Sequence, residues 1–275
     1  MNDTDILCDT GYKSISIYNN FVKNFKTMST FNNKLAIVTG GNSGIGYATA
    51  KELIANGAKV IITGRRKEAV EKAAEELGAI PFIADQGKLE DIKTLKADVE
   101  KQFGKVDILF INAGITGTLC SIENMSAENF DNVMGINFRG AYFTLSKFIP
   151  LLNDGASVVF LSSNVATTSK PNSSIYQASK AALNSIAKTA AAELAPRKIR
   201  VNMVSPGPTK TEIMTKAGLD EKTLEGLDEW LISGIPLQKM GTAEDVAKAV
   251  IYLSDNHVAS FMTGTEILID GGMVL

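Results

Sequence analysis

Residues that bind metals or form disulfides are scarce in this sequence. Its 275 residues include one histidine and two cysteines. Cys8 and Cys120 lie far apart in unlike contexts, which argues against a disulfide framework and favours a reducing compartment. Because the single histidine, His257, stands in the loop-like stretch "SDNHVAS", we expect no metal site.

An excess of positive charge and a long apolar run are also missing. The chain carries 28 Lys and Arg against 30 Asp and Glu, a net charge of −2, so bulk electrostatics would not hold nucleic acid or anionic lipid. No apolar run approaches the ~20 residues that a membrane helix needs. The N-terminus lacks the continuous apolar segment of a secretory signal. We therefore expect a cytoplasmic protein with neither a nucleic-acid nor a membrane partner.

The residues that are present suit one α/β domain with an extension. Hydrophobic residues make up 45% of the chain, which is enough to bury a core. Residues 1–33 are rich in Asn, Ser, Thr and Lys without a sustained period, so we predict a flexible N-terminal extension. The alternatives are an arm that docks through its aromatic residues and a start codon assigned upstream of Met28. Residues 34–275 contain no linker or repeat and are predicted to form a single domain.

Short apolar runs alternate with amphipathic stretches from residue 34 onward. Two of the helical stretches end at Gly57 and Gly78, and glycine is common just past the end of a helix. Apolar strands separated by helices need crossover connections, which predicts a doubly wound α/β fold: a seven-stranded parallel sheet with helices on both faces. The predicted strands are 34–39, 59–63, 79–84, 106–111, 157–162, 199–205 and 266–270.

A glycine-rich loop, "TGGNSGIG" (39–46), joins the first strand to the first helix. Backbone can approach a pyrophosphate closely only where no Cβ intervenes, and a helix N-terminus supplies unpaired N–H groups. Gly40, Gly44 and Gly46 meet these needs, although their spacing differs from the commoner G-x-G-x-x-G pattern. In this position the loop predicts dinucleotide binding.

Tyr176 and Lys180 lie four positions apart in "SIYQASK" and therefore on one face of a predicted helix. One interpretation is structural, since residues at this spacing stack their long side chains. The other is chemical, because a cation beside a phenol lowers the phenol's pKa toward neutrality and makes it a useful acid. The stretch alone leaves both interpretations open.

Six motifs in order make the sequence resemble the short-chain dehydrogenases/reductases over residues 34–275. They are "TGGNSGIG", "INAG" (111–114), "NFRG" from Asn137, a serine near the end of the fifth strand, "YQASK" and "SPGPTKTE" (205–212). The resemblance implies a Rossmann-type fold and hydride transfer between a nicotinamide cofactor and a carbonyl or secondary alcohol.

The resemblance also assigns roles to individual residues. Tyr176 is the expected proton donor or acceptor, Lys180 favours its ionised form and binds the nicotinamide ribose, and Ser163, thirteen residues before Tyr176, hydrogen-bonds the substrate carbonyl. Asn137 would hold a water that links Lys180 to solvent. The implied cofactor-binding residues are Gly40, Asn42, Ser43, Gly44, Ile45, Gly46, Arg65, Arg66, Asp85, Asn112, Ala113, Gly114, Tyr176, Lys180, Pro206, Gly207, Thr209 and Thr211.

The end of the second strand favours NADP(H) over NAD(H). NAD-binding relatives usually place an acidic residue there, whereas this sequence has Gly64 followed by Arg65 and Arg66. Glycine leaves room for a 2′-phosphate and a guanidinium can bind it, although both arginines could simply cap a solvated turn. Asp85 would contact the adenine ring or form an ordinary Asx turn.

The substrate is less well specified than the cofactor. Residues 209–235 cover the substrate in this family, and here they lack concentrated positive charge, which favours a small-molecule substrate: a modest apolar aldehyde, ketone or secondary alcohol. A 3-oxoacyl-carrier-protein reductase is the alternative; Arg197 could match one basic residue of such enzymes, but Phe143 stands where the other is expected. A non-catalytic dinucleotide-binding redox sensor is the alternative from another class. The resemblance further implies a homotetramer.

Overall fold

The computed structural model describes residues 30–210 and 221–275. Its main sheet has seven parallel strands in the order β3-β2-β1-β4-β5-β6-β9, which confirms the predicted doubly wound fold. A separate pair, β7 and β8, was not predicted. The strands are β1 Leu35–Thr39, β2 Lys59–Gly64, β3 Ile80–Ile83, β4 Val106–Ile111, β5 Leu152–Leu161, β6 Arg200–Pro206, β7 Thr209–Lys210, β8 Gly241–Thr242 and β9 Glu266–Ile269.

Helices cover both faces of the main sheet. None of those in the described ranges combines the length and the apolar character that a membrane crossing requires. Short 3₁₀ turns occur at Ile122–Asn124, Ile149–Leu151, Asn164–Thr167 and Ala195–Arg197. The helices are α1 Gly44–Ala55, α2 Lys67–Leu77, α3 Leu89–Phe103, α4 Ala127–Met134, α5 Ala141–Phe148, α6 Ser174–Leu194, α7 Glu221–Ser233 and α8 Ala243–Ser254.

Alternating side chains of the strands enter two separate cores. Along β1, Leu35 and Ile37 belong to one buried cluster and Ala36 and Val38 to the other. The first cluster takes side chains from α3, α5 and α6, and the second from α1, α2 and α8. Because both faces of each central strand are buried, the strands appear in the sequence as continuous apolar runs.

The predicted boundaries differ from the structure in two places. Phe31 is only 3% exposed, packs in the core beside α1 and donates its N–H to Asn56 O (3.0 Å). Packing therefore already includes part of the predicted extension of residues 1–33, of which residues 1–29 lie outside the described residues. Strand β5 begins at Leu152 rather than at residue 157, and a register shift against β4 accommodates Gly155 in the left-handed region (φ 79°).

A π-helical segment, Gly135–Gly140, joins α4 to α5 without a break. No sequence pattern indicated it. Such wider turns occur often at functional sites. A Cβ on Gly140 would lie 2.2 Å from Gln86 O, whereas a Cβ on Gly135 would meet no atom within 4 Å. The loop after β3 is thus packed against Gly140 too closely to admit a side chain, whereas Gly135 borders open space.

These two glycines provide a matched test of that contact. We expect Gly140→Ala to lower the free energy of unfolding by about 1–3 kcal/mol, because the new methyl group overlaps backbone. Gly135 has helical dihedrals (φ −60°, ψ −45°) and open space, so Gly135→Ala should raise that free energy by about 0.4–1 kcal/mol. Urea unfolding measures both, and equal effects of the two substitutions would contradict the packing described.

Candidate active site

A cleft of about 650 Å³ opens at the carboxyl ends of the parallel strands. Ligands bind at this edge in doubly wound folds, where neighbouring crossovers leave on opposite faces. Every predicted site residue that the structure describes lines this cleft except Asn137, which is buried close to it; Thr211 lies outside the described residues. The predicted residues lining the cleft are Gly40, Asn42, Ser43, Gly44, Ile45, Gly46, Arg65, Arg66, Asp85, Asn112, Ala113, Gly114, Ser163, Tyr176, Lys180, Pro206, Gly207 and Thr209.

The glycine loop forms a cradle suited to a pyrophosphate. A Cβ on Gly46 would lie 2.3 Å from Gly40 O, so only glycine allows α1 to approach the loop this closely. Ser43, the N-cap of α1, makes no side-chain capping bond, and the first turn of α1 has no acidic residue. Free N–H groups and the positive end of the helix dipole therefore face the cleft, and these residues fit a dinucleotide.

Side-chain contacts join the ends of β1 and β4 in the floor of the cleft. Thr39 Oγ1 accepts from the N–H of Asn112 (2.9 Å) and from that of Ala113 (3.0 Å). Asn112 Nδ2 donates to Thr39 O (2.8 Å) and Gly40 O (3.1 Å). Asn112 thus fixes the glycine loop to the neighbouring strand.

The end of β2 presents no carboxylate to the cleft. Arg65 and Arg66 are exposed there, and Arg66 is the N-cap of α2. A Cβ at position 64 would lie 2.7 Å from Asn42 Oδ1 and 2.8 Å from Val70 Cγ2, so these two side chains fill the space beside Gly64. That Gly64 leaves room for a 2′-phosphate stays a prediction.

The loop after β3 contributes the predicted Asp85 and two unpredicted residues, Ala84 and Gln86, to the cleft. Asp85 lines the cleft, and its Oδ1 accepts from Gly87 N (2.9 Å) in an Asx turn, while its contact with an adenine ring stays a prediction. Gln86 was not identified from the sequence. Its Nε2 donates to Ala113 O (2.9 Å) and Ile136 O (3.1 Å), which ties this loop to β4 and to the π-helical segment.

Ser163, Tyr176 and Lys180 meet in the same cleft from two elements. Ser163 is the N-cap of the turn Asn164–Thr167 after β5, and its hydroxyl accepts from Val165 N (3.4 Å). Tyr176 and Lys180 lie one turn apart on α6. Lys180 Nζ donates to Leu161 O (2.7 Å) at the end of β5 and lies 5.9 Å from the centroid of the Tyr176 ring.

Burial shifts the pKa of both titratable groups. Burial raises the pKa of Tyr176, and a hydrogen bond with Ser163 opposes that rise. Burial also lowers the pKa of Lys180 to about 8. The expected lowering of the Tyr176 pKa is therefore wrong in direction, because desolvation of the phenol outweighs the opposing contact and the ammonium donates to a carbonyl rather than to the phenol.

Asn137 connects the π-helical segment to α6. It is 1% exposed, and its amide both accepts from Ile115 N and donates to Ile115 O, each at 2.8 Å. Its Nδ2 also contacts Ser179 Oγ (3.1 Å), and Ser179 donates to Tyr176 O (2.7 Å). No sequence motif singled out Ser179. The predicted role of Asn137 in holding a water stays a prediction.

Comparison with known proteins assigns the chain to a family. A sequence profile described as "Enoyl-(Acyl carrier protein) reductase" matches residues 40–274. The chain belongs to the short-chain dehydrogenase/reductase family of oxidoreductases, whose members bind NAD(P)(H).

The relatives that this chain resembles differ in activity. The chain is 36% identical to a 3alpha-hydroxysteroid dehydrogenase of Mediterraneibacter gnavus, with 87% of this chain and 96% of that protein covered. It is 33% identical to a 3-oxoacyl-[acyl-carrier-protein] reductase of Thermotoga maritima (88% and 98% covered). Among solved structures, levodione reductase matches with a TM-score of 0.82 and 29% identity, covering 88% of this chain and 98% of that one.

The low pKa of Lys180 predicts a pH-dependent stability. At pH values between the folded pKa of about 8 and the ordinary value of 10.5, the unfolded chain binds the Lys180 proton more tightly than the folded protein does. The free energy of unfolding therefore rises with pH through this window. From pH 7.5 to pH 9.5, we expect the free energy of unfolding of the native chain to rise by about 1–2 kcal/mol relative to that of Lys180→Met.

Urea unfolding without added nucleotide at the two pH values measures this difference. Lys188→Met, on an exposed position of α6, is the matched control and should show no such change. If the free energies of unfolding of the native chain and of Lys180→Met change in parallel with pH, burial does not lower the pKa of Lys180.

Proposed function

We propose that this protein is an NADP(H)-dependent reductase of carbonyl compounds or, in the reverse direction, a dehydrogenase of secondary alcohols. The observation that carries the proposal is the convergence of Ser163, Tyr176 and Lys180 in the cleft that also contains the glycine loop. A sensor of dinucleotides needs the loop but has no use for a buried phenol beside an ammonium group. The nicotinamide cofactor, when bound, supplies or accepts the hydride.

The three side chains have complementary tasks in the reductive direction. Because burial raises its pKa, the phenol of Tyr176 is protonated at neutral pH and can donate to the substrate oxygen. The Ser163 hydroxyl, whose interaction with the phenol opposes the rise in the Tyr176 pKa, directs that oxygen toward the phenol and stabilises charge developing on it. The Lys180 ammonium, held by Leu161 O, stabilises the tyrosinate that remains after the transfer.

Replacing Tyr176 tests the proton-transfer role. We expect Tyr176→Phe to reduce kcat about 10²–10⁴-fold with NADPH and a carbonyl panel, because positioned proton transfer contributes a factor of this size. The measurement is the decrease in absorbance at 340 nm. Tyr142→Phe removes a hydroxyl from an exposed tyrosine on α5 and should leave the rate unchanged.

The same experiment separates the enzyme from the sensor. If the native chain and Tyr176→Phe turn over at equal rates, Tyr176 is not the acid. If the native chain binds NADPH but reduces no carbonyl in the panel, the result favours a dinucleotide-binding sensor over a reductase.

The preference for NADP(H) is supported by charge at the end of β2. Arg65 and Arg66 line the cleft, and the neutral amide of Asn42 lies beside Gly64, so no carboxylate at this strand end would repel a 2′-phosphate. Both guanidinium groups are exposed and able to turn toward a phosphate. This arrangement favours the phosphorylated cofactor over NAD(H).

Removing one guanidinium tests that preference. We expect Arg65→Ala to weaken NADPH binding about tenfold while leaving NADH binding nearly unchanged, because a charge-assisted contact contributes about 1.5–3 kcal/mol. Titration of nucleotide fluorescence measures both dissociation constants. The control is Arg139→Ala, which removes an exposed guanidinium that packs over Phe143 outside the cleft. An unchanged ratio of the two constants would show that Arg65 does not recognise the phosphate.

A modest apolar aldehyde, ketone or secondary alcohol remains the proposed substrate. The relatives include a carrier-protein reductase. Arg197 was the candidate for contact with a carrier protein, but its guanidinium is hydrogen-bonded within this chain. Its guanidinium donates to Asp154 Oδ1 (2.9 Å), Ile149 O (2.9 Å) and Leu152 O. A cytoplasmic location and a homotetrameric assembly stay predictions from the sequence.

A further inference from the structure

A second cavity, a groove of about 530 Å³, is lined in part by the same helix as the cleft. Ser121 and Ile122 form one side and residues 168–172 the other, while Ser174 and Gln177 of α6 complete the lining. Tyr176 and Lys180 of the same helix line the cleft. Ser174 and Gln177 therefore alternate with Tyr176 and Lys180 along the first two turns of α6.

The wall of the groove is a loop with few backbone contacts. At its start, Thr168 N donates to Val165 O (3.2 Å), which fixes it to the turn after Ser163. Asn172 near its end adopts the left-handed region (φ 64°), which is uncommon for a residue other than glycine. Within residues 30–210 and 221–275, the backbone of 169–172 makes no hydrogen bond to another backbone group.

One side chain holds the middle of this loop. Gln177 Nε2 donates to Lys170 O (2.7 Å), and Gln177 Oε1 accepts from Lys170 N (3.2 Å). Gln177 is only 8% exposed. The N–H and the carbonyl oxygen of its side-chain amide therefore both bond to Lys170 at a place largely closed to water. A side chain without these groups would leave both backbone atoms of Lys170 without this partner.

We propose that Gln177 is a positioning residue that fixes residues 168–172 as one wall of the substrate site, and that the groove holds the part of an elongated substrate remote from its carbonyl. The inference rests on the proposed reductase function. The side chain of Gln177 bonds to Lys170 and to neither Ser163 nor Lys180. Gln177 therefore governs the binding of long substrates and leaves proton transfer at Tyr176 unaffected.

Gln177→Met tests the proposal because methionine has a similar length and lacks both hydrogen-bonding groups. The substrates are a short ketone, butan-2-one, and an elongated one, 4-phenylbutan-2-one, each reduced with NADPH. We expect KM for the elongated ketone to rise about tenfold with kcat within about twofold, and both constants for the short ketone to stay within about twofold.

Two further variants keep the test decisive. Gln177→Glu preserves size and the acceptor for Lys170 N but loses the donor to Lys170 O, so it replaces the methionine variant if that one does not fold. Thr189→Ala, at an exposed position of α6, is the matched control. NADPH affinity and urea unfolding verify that each variant retains its fold.

The outcomes separate this inference from the function on which it rests. An unchanged ratio of kcat/KM between the two ketones, or a loss confined to kcat, would overturn the role of Gln177 while the reductase function stands. A native chain that reduces neither ketone would contradict both.

Discussion

The whole site depends on the point in the sheet where β1 and β4 lie side by side and their crossovers leave on opposite faces. The divergence of the two connections opens the cleft, and the contacts between Thr39 and Asn112 keep the strand ends together beneath it. Because Asn112 also donates to Gly40 O, the glycine loop proposed to bind the pyrophosphate is fixed to the end of β4. The proposed cofactor-binding and substrate-binding parts of the cleft are therefore held together by the same pair of strands, β1 and β4.

Desolvation is the second constraint, and it acts on both titratable catalytic groups. It keeps the phenol of Tyr176 protonated and makes the ammonium of Lys180 easier to deprotonate, so each shift favours the uncharged form. The protein limits the cost by giving Lys180 one short bond to Leu161 O. A phenol that is neutral at rest suits an acid that must donate a proton, and the nearby cation becomes important only once that proton has left.

The sheet could be predicted from local patterns, and about two thirds of the residues lining the cleft from the motifs of the family resemblance. Buried parallel strands are continuous apolar runs, and a loop that approaches a phosphate needs glycine at particular positions such as Gly46. The features that were missed are non-local. The π-helical segment, the filling of the space at Gly64 by Asn42 and the bonds of Gln86 all depend on which elements pack together. Burial of the Phe31 side chain likewise could not be inferred from a polar-rich segment.

The same distinction explains why motifs can identify the chemistry of this chain and leave its substrate open. The interval from Ser163 to Tyr176 sets the two groups that the proposed reaction uses with any carbonyl substrate. The intervening loop must only be long enough to connect them. The path of that loop is set by a side chain inside the motif, Gln177, acting on the backbone of Lys170. A contact between a side chain and a backbone leaves no trace in the residue type at position 170. Substrate selectivity can therefore change within the family through such contacts while the catalytic residues and their spacing stay the same.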